Sequence, residues 1–174
     1  MAQAPTPGKP QRHVVVMGVS GVGKTTVAEQ LARRLGYQFA EGDDFHPRDN
    51  VAKMSAGVPL DDEDRMPWLQ ALAAWVRERD QQGRSTVLTC SALRRRYRDV
   101  LREGSSMLFV HLVGDEALLA TRMGGRDHFM PPELLRSQFE ALEPLGDDEP
   151  GMTVEVRDEP ERVVERVLEG LQLA

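Results

Sequence analysis

The stretch GVSGVGKT at residues 18–25 decides the fold of this chain. It follows the short apolar run HVVVM at residues 13–17 and leads into a segment with helical periodicity, in which Val27, Leu31 and Leu35 are four positions apart. A strand, a GxxxxGK[ST] motif and a helix in this order form a phosphate-binding loop, or P-loop. The pattern therefore predicts a buried strand, a tight glycine-rich turn and a helix that begins where the motif ends.

The residue types of this loop suit a nucleoside triphosphate. Its glycines let the backbone turn tightly and expose N–H groups to a phosphate, and the start of the helix adds partial positive charge. Lys24 would reach the β- and γ-phosphates, and the hydroxyl of Thr25 would bind Mg²⁺. The predicted nucleotide-binding residues of the loop are Gly18, Val19, Ser20, Gly21, Val22, Gly23, Lys24, Thr25 and Thr26. The alternative, a glycine-rich turn without a ligand, is disfavoured by the strand before it and the helix after it.

Length and composition restrict the class of protein. The chain has 174 residues, of which 40% are hydrophobic and 29% charged, as expected for one soluble domain. A net charge of −6 argues against a protein built mainly to bind nucleic acid. Residues 1–12 are typical of a disordered tail rather than a signal peptide, and the sequence contains no apolar run of membrane-spanning length. With a single cysteine, these features predict a cytoplasmic protein without an intrachain disulfide.

Apolar runs alternate with helical patterns from residue 13 to residue 174. The predicted strands are 13–17, about 37–40, 86–90, 107–113 and 152–156. Runs that are almost entirely apolar are typical of parallel strands buried on both faces. The sequence therefore predicts a single α/β domain, a three-layer α/β/α P-loop fold with a parallel sheet of about five strands. A GTPase would need an NKxD segment, which is missing, so the short chain favours a small-molecule kinase of the nucleoside-monophosphate or shikimate kind.

Acidic residues follow the second predicted strand, whose carboxyl end faces the phosphates in a sheet of this type. Asp43 there could accept a proton from a substrate hydroxyl, or hold that hydroxyl in line with the γ-phosphate. Glu41, two residues earlier, could orient a water molecule bound to Mg²⁺. The alternative is that Glu41, Asp43 and Asp44 are ordinary turn acids. The preceding P-loop favours the functional interpretation.

Residues 42–69 read GDDFHPRDNVAKMSAGVPLDDEDRMPWL. This segment resembles the gluconokinase family, which has GD-x-x-HP…N-x-x-KM-x-x-G-x-PL-x-D-x-DR-x-PWL in this place. The similarity continues in CSALRRRYRD at residues 90–99 and in HFM at 128–130, which LL and SQF follow, so that it covers about residues 14–145. It implies transfer of the γ-phosphate of ATP to the 6-hydroxyl of D-gluconate, and it suggests a homodimer. Asp127 departs from the pattern, in which a small residue precedes HFM.

A gluconate site needs a cation for the carboxylate and polar groups for the hydroxyls. The candidate cations are Lys53, Arg65, Arg94 and Arg98. Because an arginine fork binds a carboxylate through two parallel hydrogen bonds, Arg65 or Arg98 is favoured over Lys53. His46 and Gln138 are candidates for the hydroxyls on the resemblance alone. The alternative is that any one of these arginines is a solvated surface residue.

Residues 46–82 are predicted to form a helical substrate-binding segment, and residues 122–131 a lid. Two adjacent glycines at 124 and 125 suit a hinge, and Arg122 and Arg126 would share one helical face. In similar kinases a lid carries arginines onto the phosphates, so Arg126 is also a candidate catalytic residue. The alternative is a glycine-broken surface loop with solvated arginines.

Three further features are interpreted as structural. Asp115 follows a strand that imitates a Walker B segment, but it is better placed to cap the next helix. Cys90 is expected to fill space at a strand end. Trp68 and Trp75 lie on one helical face with Leu72 and are expected to pack in the core rather than stack on a ligand. The competing functions are another kinase of this fold, such as a shikimate or nucleoside-monophosphate kinase, and a nucleotide-binding regulator without transfer chemistry.

Overall fold

A computed structural model describes residues 11–124 and 132–173, and in these ranges strands and helices alternate. In chain order the elements are β1 (His13–Met17), α1 (Lys24–Leu35), β2 (Gln38–Glu41), a 3₁₀ turn (Gly42–Phe45), α2 (Arg48–Ser55), α3 (Asp62–Gln81), β3 (Thr86–Thr89), α4 (Arg95–Arg102), β4 (Leu108–Val113), α5 (Glu116–Gly124), α6 (Pro132–Ala141), β5 (Gly151–Glu155) and α7 (Pro160–Leu173). The predicted five strands are confirmed, within a residue or two at their ends.

The five strands form one parallel sheet in the order β2-β3-β1-β4-β5. The central strand β1 pairs on both sides, so that Val15 lies between Leu88 of β3 and Phe109 of β4. All five residues of β1 are buried, which explains why the strand is apolar without interruption from Val14 to Met17.

Helices cover both faces of the sheet and divide the core into two clusters. Val14 and Val16 point to one face and pack with α1 and α7, whereas Val15 and Met17 point to the other and pack with α3 and α4. Each fully buried aliphatic side chain contributes about 1.5–3 kcal/mol, so both faces of β1 stabilise the fold. The predicted three-layer α/β/α architecture is confirmed. None of the described helices is long and apolar enough to cross a membrane.

The domain begins before the predicted boundary at residue 13. The backbone N–H of Arg12 donates to Ser85 Oγ over 3.0 Å, and its guanidinium donates to the carbonyl of Leu171 over 2.9 Å. These bonds tie Arg12 to β3 and α7, so the prediction of a tail through residue 12 is wrong at Arg12. Residues 1–10 of that predicted tail lie outside the described residues.

The carboxyl ends of the strands meet at one edge of the sheet, where ligands bind in folds of this kind. The P-loop follows β1, Glu41 ends β2 with Asp43 just beyond it, and Ser91 follows β3. Gly18 donates its N–H to the carbonyl of Ser91 over 3.3 Å, which joins two of these connections. Asp115, after β4, accepts the N–H of Leu118 over 2.7 Å, so its predicted role as a helix cap is confirmed.

Candidate active site

The P-loop wraps around the start of α1 in a conformation that requires glycine. Gly18, Gly21 and Gly23 have φ angles of +145°, +83° and +95°. At Gly18 a Cβ would also lie 2.7 Å from the carbonyl oxygen of Leu112. Gly23 precedes the first helical residue and has no side chain with which to cap α1. The N–H groups of the first turn therefore face the loop, where a phosphate would accept them.

Lys24 is folded across its own loop. Its Nζ donates to the carbonyls of Gly18 and Val19 over 2.9 and 3.1 Å. Burial lowers the pKa of Lys24, while the carboxylates of Asp43 and Glu41 oppose the shift. The ammonium thus lies between the loop and the carboxylates that follow β2, where a transferred phosphoryl group would need a positive charge.

The two predicted Mg²⁺ ligands lie side by side. Thr25 Oγ1 donates to Glu41 Oε2 over 2.8 Å, which joins the start of α1 to the end of β2. Among the described residues no group of three or more histidine, cysteine, aspartate or glutamate side chains could hold a metal ion. One hydroxyl and one carboxylate beside a phosphate loop nevertheless suit Mg²⁺, which keeps several waters and binds few protein oxygens.

The segment that carries Asp43 is fixed through Gly42. The N–H of Gly42 donates to Thr89 Oγ1 over 3.0 Å, and its carbonyl accepts Trp68 Nε1 over 2.8 Å. A Cβ at this position would lie 1.9 Å from the carbonyl oxygen of Thr89, so only glycine fits here. The side chain of Asp43 is 82% exposed and open to the cleft. Its backbone, in contrast, is held from two sides.

Trp68 has a part in the site that the sequence did not reveal. It is 3% exposed and lies in the core, as predicted, but its indole also bonds Gly42 and stacks on the ring of His46. The ring centroids are 4.2 Å apart and the planes are inclined by 17°. A helical apolar stripe predicts burial of an indole, and it carries no information about the partner of the indole N–H.

Lys53 is already paired with a carboxylate. Its Nζ lies 2.9 Å from both oxygens of Asp64. The hydrogen bond to Asp64 raises the pKa of Lys53. Asp64 also closes a capping box with Asp61 at the start of α3, because each side chain accepts the backbone N–H of the other. Lys53 therefore joins α2 to α3, which makes it a weaker candidate for a substrate carboxylate than a cation without such a pair.

Arg65 extends from α3 towards α4 and meets a tyrosine there. Its Nη1 lies 3.4 Å from the hydroxyl of Tyr97, and its guanidinium carbon is 5.5 Å from the centre of the tyrosine ring. The same hydroxyl donates to the carboxylate of Asp62 in a short hydrogen bond. Arg65 is partly buried and has no carboxylate partner among the described residues, so its charge is free for an anionic ligand. Arg94, at the N-terminal end of α4, is also partly buried.

Arg98 does not reach the cleft, and the prediction that it binds the substrate is wrong. It is 0% exposed, and its Nε and Nη2 donate to the carboxylate of Glu149 over 2.7 and 2.9 Å. Its Nη1 donates to the carbonyl of Ala92 over 2.8 Å. Arg102 also donates to Glu149, and the hydrogen bonds from Arg98 lower the pKa of Glu149 to about 2. The buried position on α4 leaves this guanidinium no path to a ligand.

Gln138 contacts the nucleotide loop rather than the segment formed by α2 and α3. Its Oε1 accepts the backbone N–H of Ser20 over 2.7 Å, and its Nε2 lies 3.0 Å from Ser20 Oγ. These bonds join α6 to the P-loop across 118 positions of sequence. The geometry therefore associates Gln138 with the P-loop, and it does not support the predicted contact with polyol hydroxyls.

A cavity of about 380 Å³ adjoins the P-loop. One wall consists of Gly21, Gly23 and Thr26, and the other of Arg122 and residues 156–160, which connect β5 to α7. Arg122 donates from Nη2 to the carbonyl of Val156 over 2.7 Å. Residues 156–160 were missed by the sequence analysis, because a wall built largely from a connecting loop has no motif. Arg126 and the rest of the predicted lid from residue 125 to residue 131 lie outside the described residues.

The chain is similar to known proteins over most of its length. A family model described as an AAA domain matches residues 14–144. A gluconokinase from Gluconobacter oxydans is 50% identical over 95% of this chain and 94% of its own length. A sugar kinase from Janibacter sp. HTCC2649, solved without a ligand, is 53% identical with a TM-score of 0.89, and the match covers 95% of this chain and 96% of that one. A gluconokinase from Sinorhizobium meliloti is 44% identical with a TM-score of 0.84, over 95% and 94% of the two chains. The shikimate kinase of Aquifex aeolicus, 16% identical with a TM-score of 0.62 over 92% and 96% of the chains, shares the fold.

Proposed function

This chain belongs to the gluconokinase family, and from that membership we propose that it transfers the γ-phosphoryl group of ATP to the 6-hydroxyl of D-gluconate. The products are 6-phospho-D-gluconate and ADP. One observation carries the proposal: the hydrogen bond from Thr25 to Glu41 brings the phosphate loop against the segment that bears Asp43. A phosphate held by the loop and a hydroxyl held by Asp43 would then share one cleft.

Asp43 acts on the acceptor. Its exposed carboxylate accepts a hydrogen bond from the 6-hydroxyl, which orients the oxygen for in-line attack, and it takes the proton as the new O–P bond forms. Because Gly42 is held by Thr89 and Trp68, the carboxylate works from a fixed backbone. Positioning of this kind supplies much of the rate in phosphoryl transfer.

Lys24 acts on the phosphates. Its ammonium donates to the carbonyls of Gly18 and Val19, and a γ-phosphate would take their place. The cation then stabilises the negative charge on the transferred group, together with the N–H groups of the loop. Arg122, at the wall of the adjoining cavity, lies on the same nucleotide side. The nucleoside of ATP would occupy that cavity.

Thr25 would hold Mg²⁺ through its hydroxyl, and Glu41 would hold it directly or through a bound water. When bound, the ion would neutralise charge on the β- and γ-phosphates. The hydroxyl of Thr25 and the carboxylate of Glu41 also give this end of the cleft a site that suits a small, hard cation.

Arg65 is the best candidate for the carboxylate of gluconate. It projects from α3 and is held by Tyr97, and its guanidinium has no acidic partner among the described residues. Arg94 is the second candidate because it lies at the start of α4. Residues 46–82 form the acceptor-binding region. Within it, Lys53 pairs with Asp64 and so connects α2 to α3.

The proposal is tested by an ADP-release assay with gluconate, shikimate and nucleoside monophosphates as separate acceptors. We expect turnover with gluconate, and we expect Asp43→Asn to lower kcat by about 10²-fold while ATP binding is retained. Asp44→Asn is the matched control, since it removes a neighbouring exposed carboxylate and should leave turnover unchanged. Turnover with another acceptor but not with gluconate would refute the substrate, and a fully active Asp43→Asn would refute the role of Asp43.

Two properties of the protein in the cell complete the proposal. The family resemblance supports a homodimer, which light scattering of the purified protein would detect as twice the mass of the chain. A cytoplasmic location fits a kinase that consumes ATP, and fractionation of cells would test it.

A further inference from the structure

The surroundings of His46 give this imidazole a role of its own. We infer that His46 is a positioning residue for Asp43: it carries its proton on Nε2 and donates it as a hydrogen bond to the Asp43 carboxylate. That bond aims the carboxylate at the acceptor hydroxyl. The inference rests on the proposed function, because it explains how the base of that reaction is oriented.

The plane of the His46 ring is fixed. The imidazole stacks on Trp68 with 4.2 Å between centroids, and the side chain is 6% exposed. Trp68 is held in turn by the hydrogen bond from Nε1 to the carbonyl of Gly42. The ring edge therefore points in a direction that α3 determines, and the same tryptophan orients the backbone next to Asp43.

Asn50 determines which ring nitrogen carries the proton. Its Nδ2 donates to the backbone carbonyl of Asp64 over 2.8 Å. Because a carbonyl can only accept, the atom on this side of the amide must be the NH₂ nitrogen rather than the oxygen. The same Nδ2 lies 3.3 Å from Nδ1 of His46. Because NH₂ is a donor, Nδ1 must be the acceptor, and the neutral ring carries its proton on Nε2.

Nε2 faces Asp43. The distance from Nε2 to Oδ1 of Asp43 is 3.9 Å, about 1 Å longer than a hydrogen bond. The backbone N–H of His46 reaches the carbonyl of Asp43 over 3.4 Å, so the two residues belong to one turn. Since the carboxylate is 82% exposed, a small rotation of its side chain closes the gap without moving the backbone.

The electrostatic surroundings keep the ring neutral. Burial lowers the pKa of His46, Asp43 on the preceding turn opposes the shift, and Arg65 on α3 reinforces it. Protonation would also place an Nδ1–H against the NH₂ of Asn50, where two donors would meet. The folded protein therefore binds this proton less readily than the unfolded chain, and the contribution of His46 to stability falls as the pH drops below the ordinary pKa of 6.5.

The first test measures the tautomer directly, without nucleotide or acceptor. In the ¹⁵N-labelled full chain, the ring signals of His46 are assigned by their loss in His46→Gln. We expect the Nε2–H tautomer at pH 7 and a pKa below 6.5. An Nδ1–H tautomer or a charged ring at pH 7 would overturn the inference. In Asn50→Asp the carboxylate would accept from Nδ1, so the pKa of His46 should rise by about one unit.

The second test separates positioning from substrate contact. His46→Phe keeps a ring against Trp68 but removes both nitrogens, whereas His46→Gln keeps an N–H donor at about the reach of Nε2. We expect kcat to fall about 10-fold in His46→Phe, with unchanged KM values for ATP and gluconate, and to recover in large part in His46→Gln. A loss confined to the KM of gluconate, or equal losses in both variants, would overturn the inference. If the wild-type protein has no turnover with gluconate, the proposed function fails while the tautomer result stands.

Discussion

The two halves of the cleft are built by different means. The proposed nucleotide half consists of residues 18–26 with Arg122 and residues 156–160, and its P-loop relies on backbone atoms and on glycine conformations. The acceptor half, residues 41–65 with Trp68 and Tyr97, relies on side chains of separate elements that bond one another. Backbone conformations within one loop can be predicted from a local sequence motif. Contacts between side chains of separate elements cannot, because they form only when the chain folds.

The buried pair of Arg98 and Glu149 supports the loop that contacts the P-loop, and its loss should have the largest effect. Arg98 holds the carbonyl of Ala92, and the neighbouring Ser91 accepts the N–H of Gly18 in the P-loop. Arg98→Met leaves Glu149 buried and short of partners, so we expect unfolding to require about 3–5 kcal/mol less free energy. Urea denaturation followed by circular dichroism measures the change. A double variant that also has Glu149→Met should recover part of the loss, and a single-variant loss below about 1 kcal/mol would contradict the supporting role.

The same pair predicts how stability depends on acid. Glu149 has its pKa lowered from an ordinary 4.5 to about 2 by the hydrogen bonds from Arg98, so the unfolded chain takes up this proton first. The stabilising effect of Glu149 is complete above pH 4.5 and is lost as the pH falls towards 2. Urea denaturation at a series of pH values gives the free energy of unfolding as a function of pH. Between pH 4.5 and 2 this free energy should fall less steeply in the double variant than in the wild type. Equal pH dependence of the unfolding free energy in the two proteins would show that Glu149 does not cause the loss of stability in acid.

Lys24→Ala tests the nucleotide half. Removal of the only side-chain cation of the P-loop leaves the charge on the transferred group without its partner, and we expect kcat/KM to fall by about 10²–10³-fold. Both ATP binding and kcat should suffer, and calorimetry and steady-state kinetics separate them. Lys53→Ala is the matched lysine control in the acceptor half, with intact affinity for ATP. Full activity of Lys24→Ala would refute the assignment of the loop.

Arg65→Ala tests the acceptor half. Loss of a charge-assisted, two-pronged contact should raise the KM for gluconate by about 10–100-fold and leave the KM for ATP within about 2-fold. Arg96→Ala is a suitable control, because this exposed arginine of the neighbouring helix α4 is paired with Asp62. A rise in the KM for ATP instead would move Arg65 to the nucleotide half.

Tyr97→Phe should give the smallest effect and sharpen the comparison. The variant keeps the ring beside Arg65 but removes the hydroxyl that contacts both Arg65 and Asp62. We expect the KM for gluconate to rise about 2–10-fold, because one net hydrogen bond contributes about 0.5–1.5 kcal/mol. Combination with Arg65→Ala should add nothing further if Tyr97 acts through Arg65. Additive losses would indicate an independent contact.

The fold was accessible from the sequence because its signals are local. The uninterrupted apolar run of β1 indicates burial on both faces, and GVSGVGKT specifies the turn that follows it. The sequence also predicted that Thr25 and Glu41 belong to one Mg²⁺ site, and they lie side by side because both are at the carboxyl edge of the sheet.

The arginines of α4 could not be sorted in this way. Residues 94–98 contain four arginines, and their spacing does not reveal which of them faces the core. Arg98 is buried because Glu149, 51 positions away, meets it there. Trp68 is a similar case. Its burial could be predicted from the helical periodicity of apolar residues, but the hydrogen bond from its N–H to Gly42 depends on how α3 packs against the 3₁₀ turn.

The hydrogen bonds of Lys24 to its own loop have one further consequence. The ammonium donates to the carbonyls of Gly18 and Val19, and a phosphate that binds the loop would replace these carbonyls as the acceptor. The exchange replaces one set of partners by another and leaves no buried charge without a partner, so we expect it to add little to the free energy cost of phosphate binding or release.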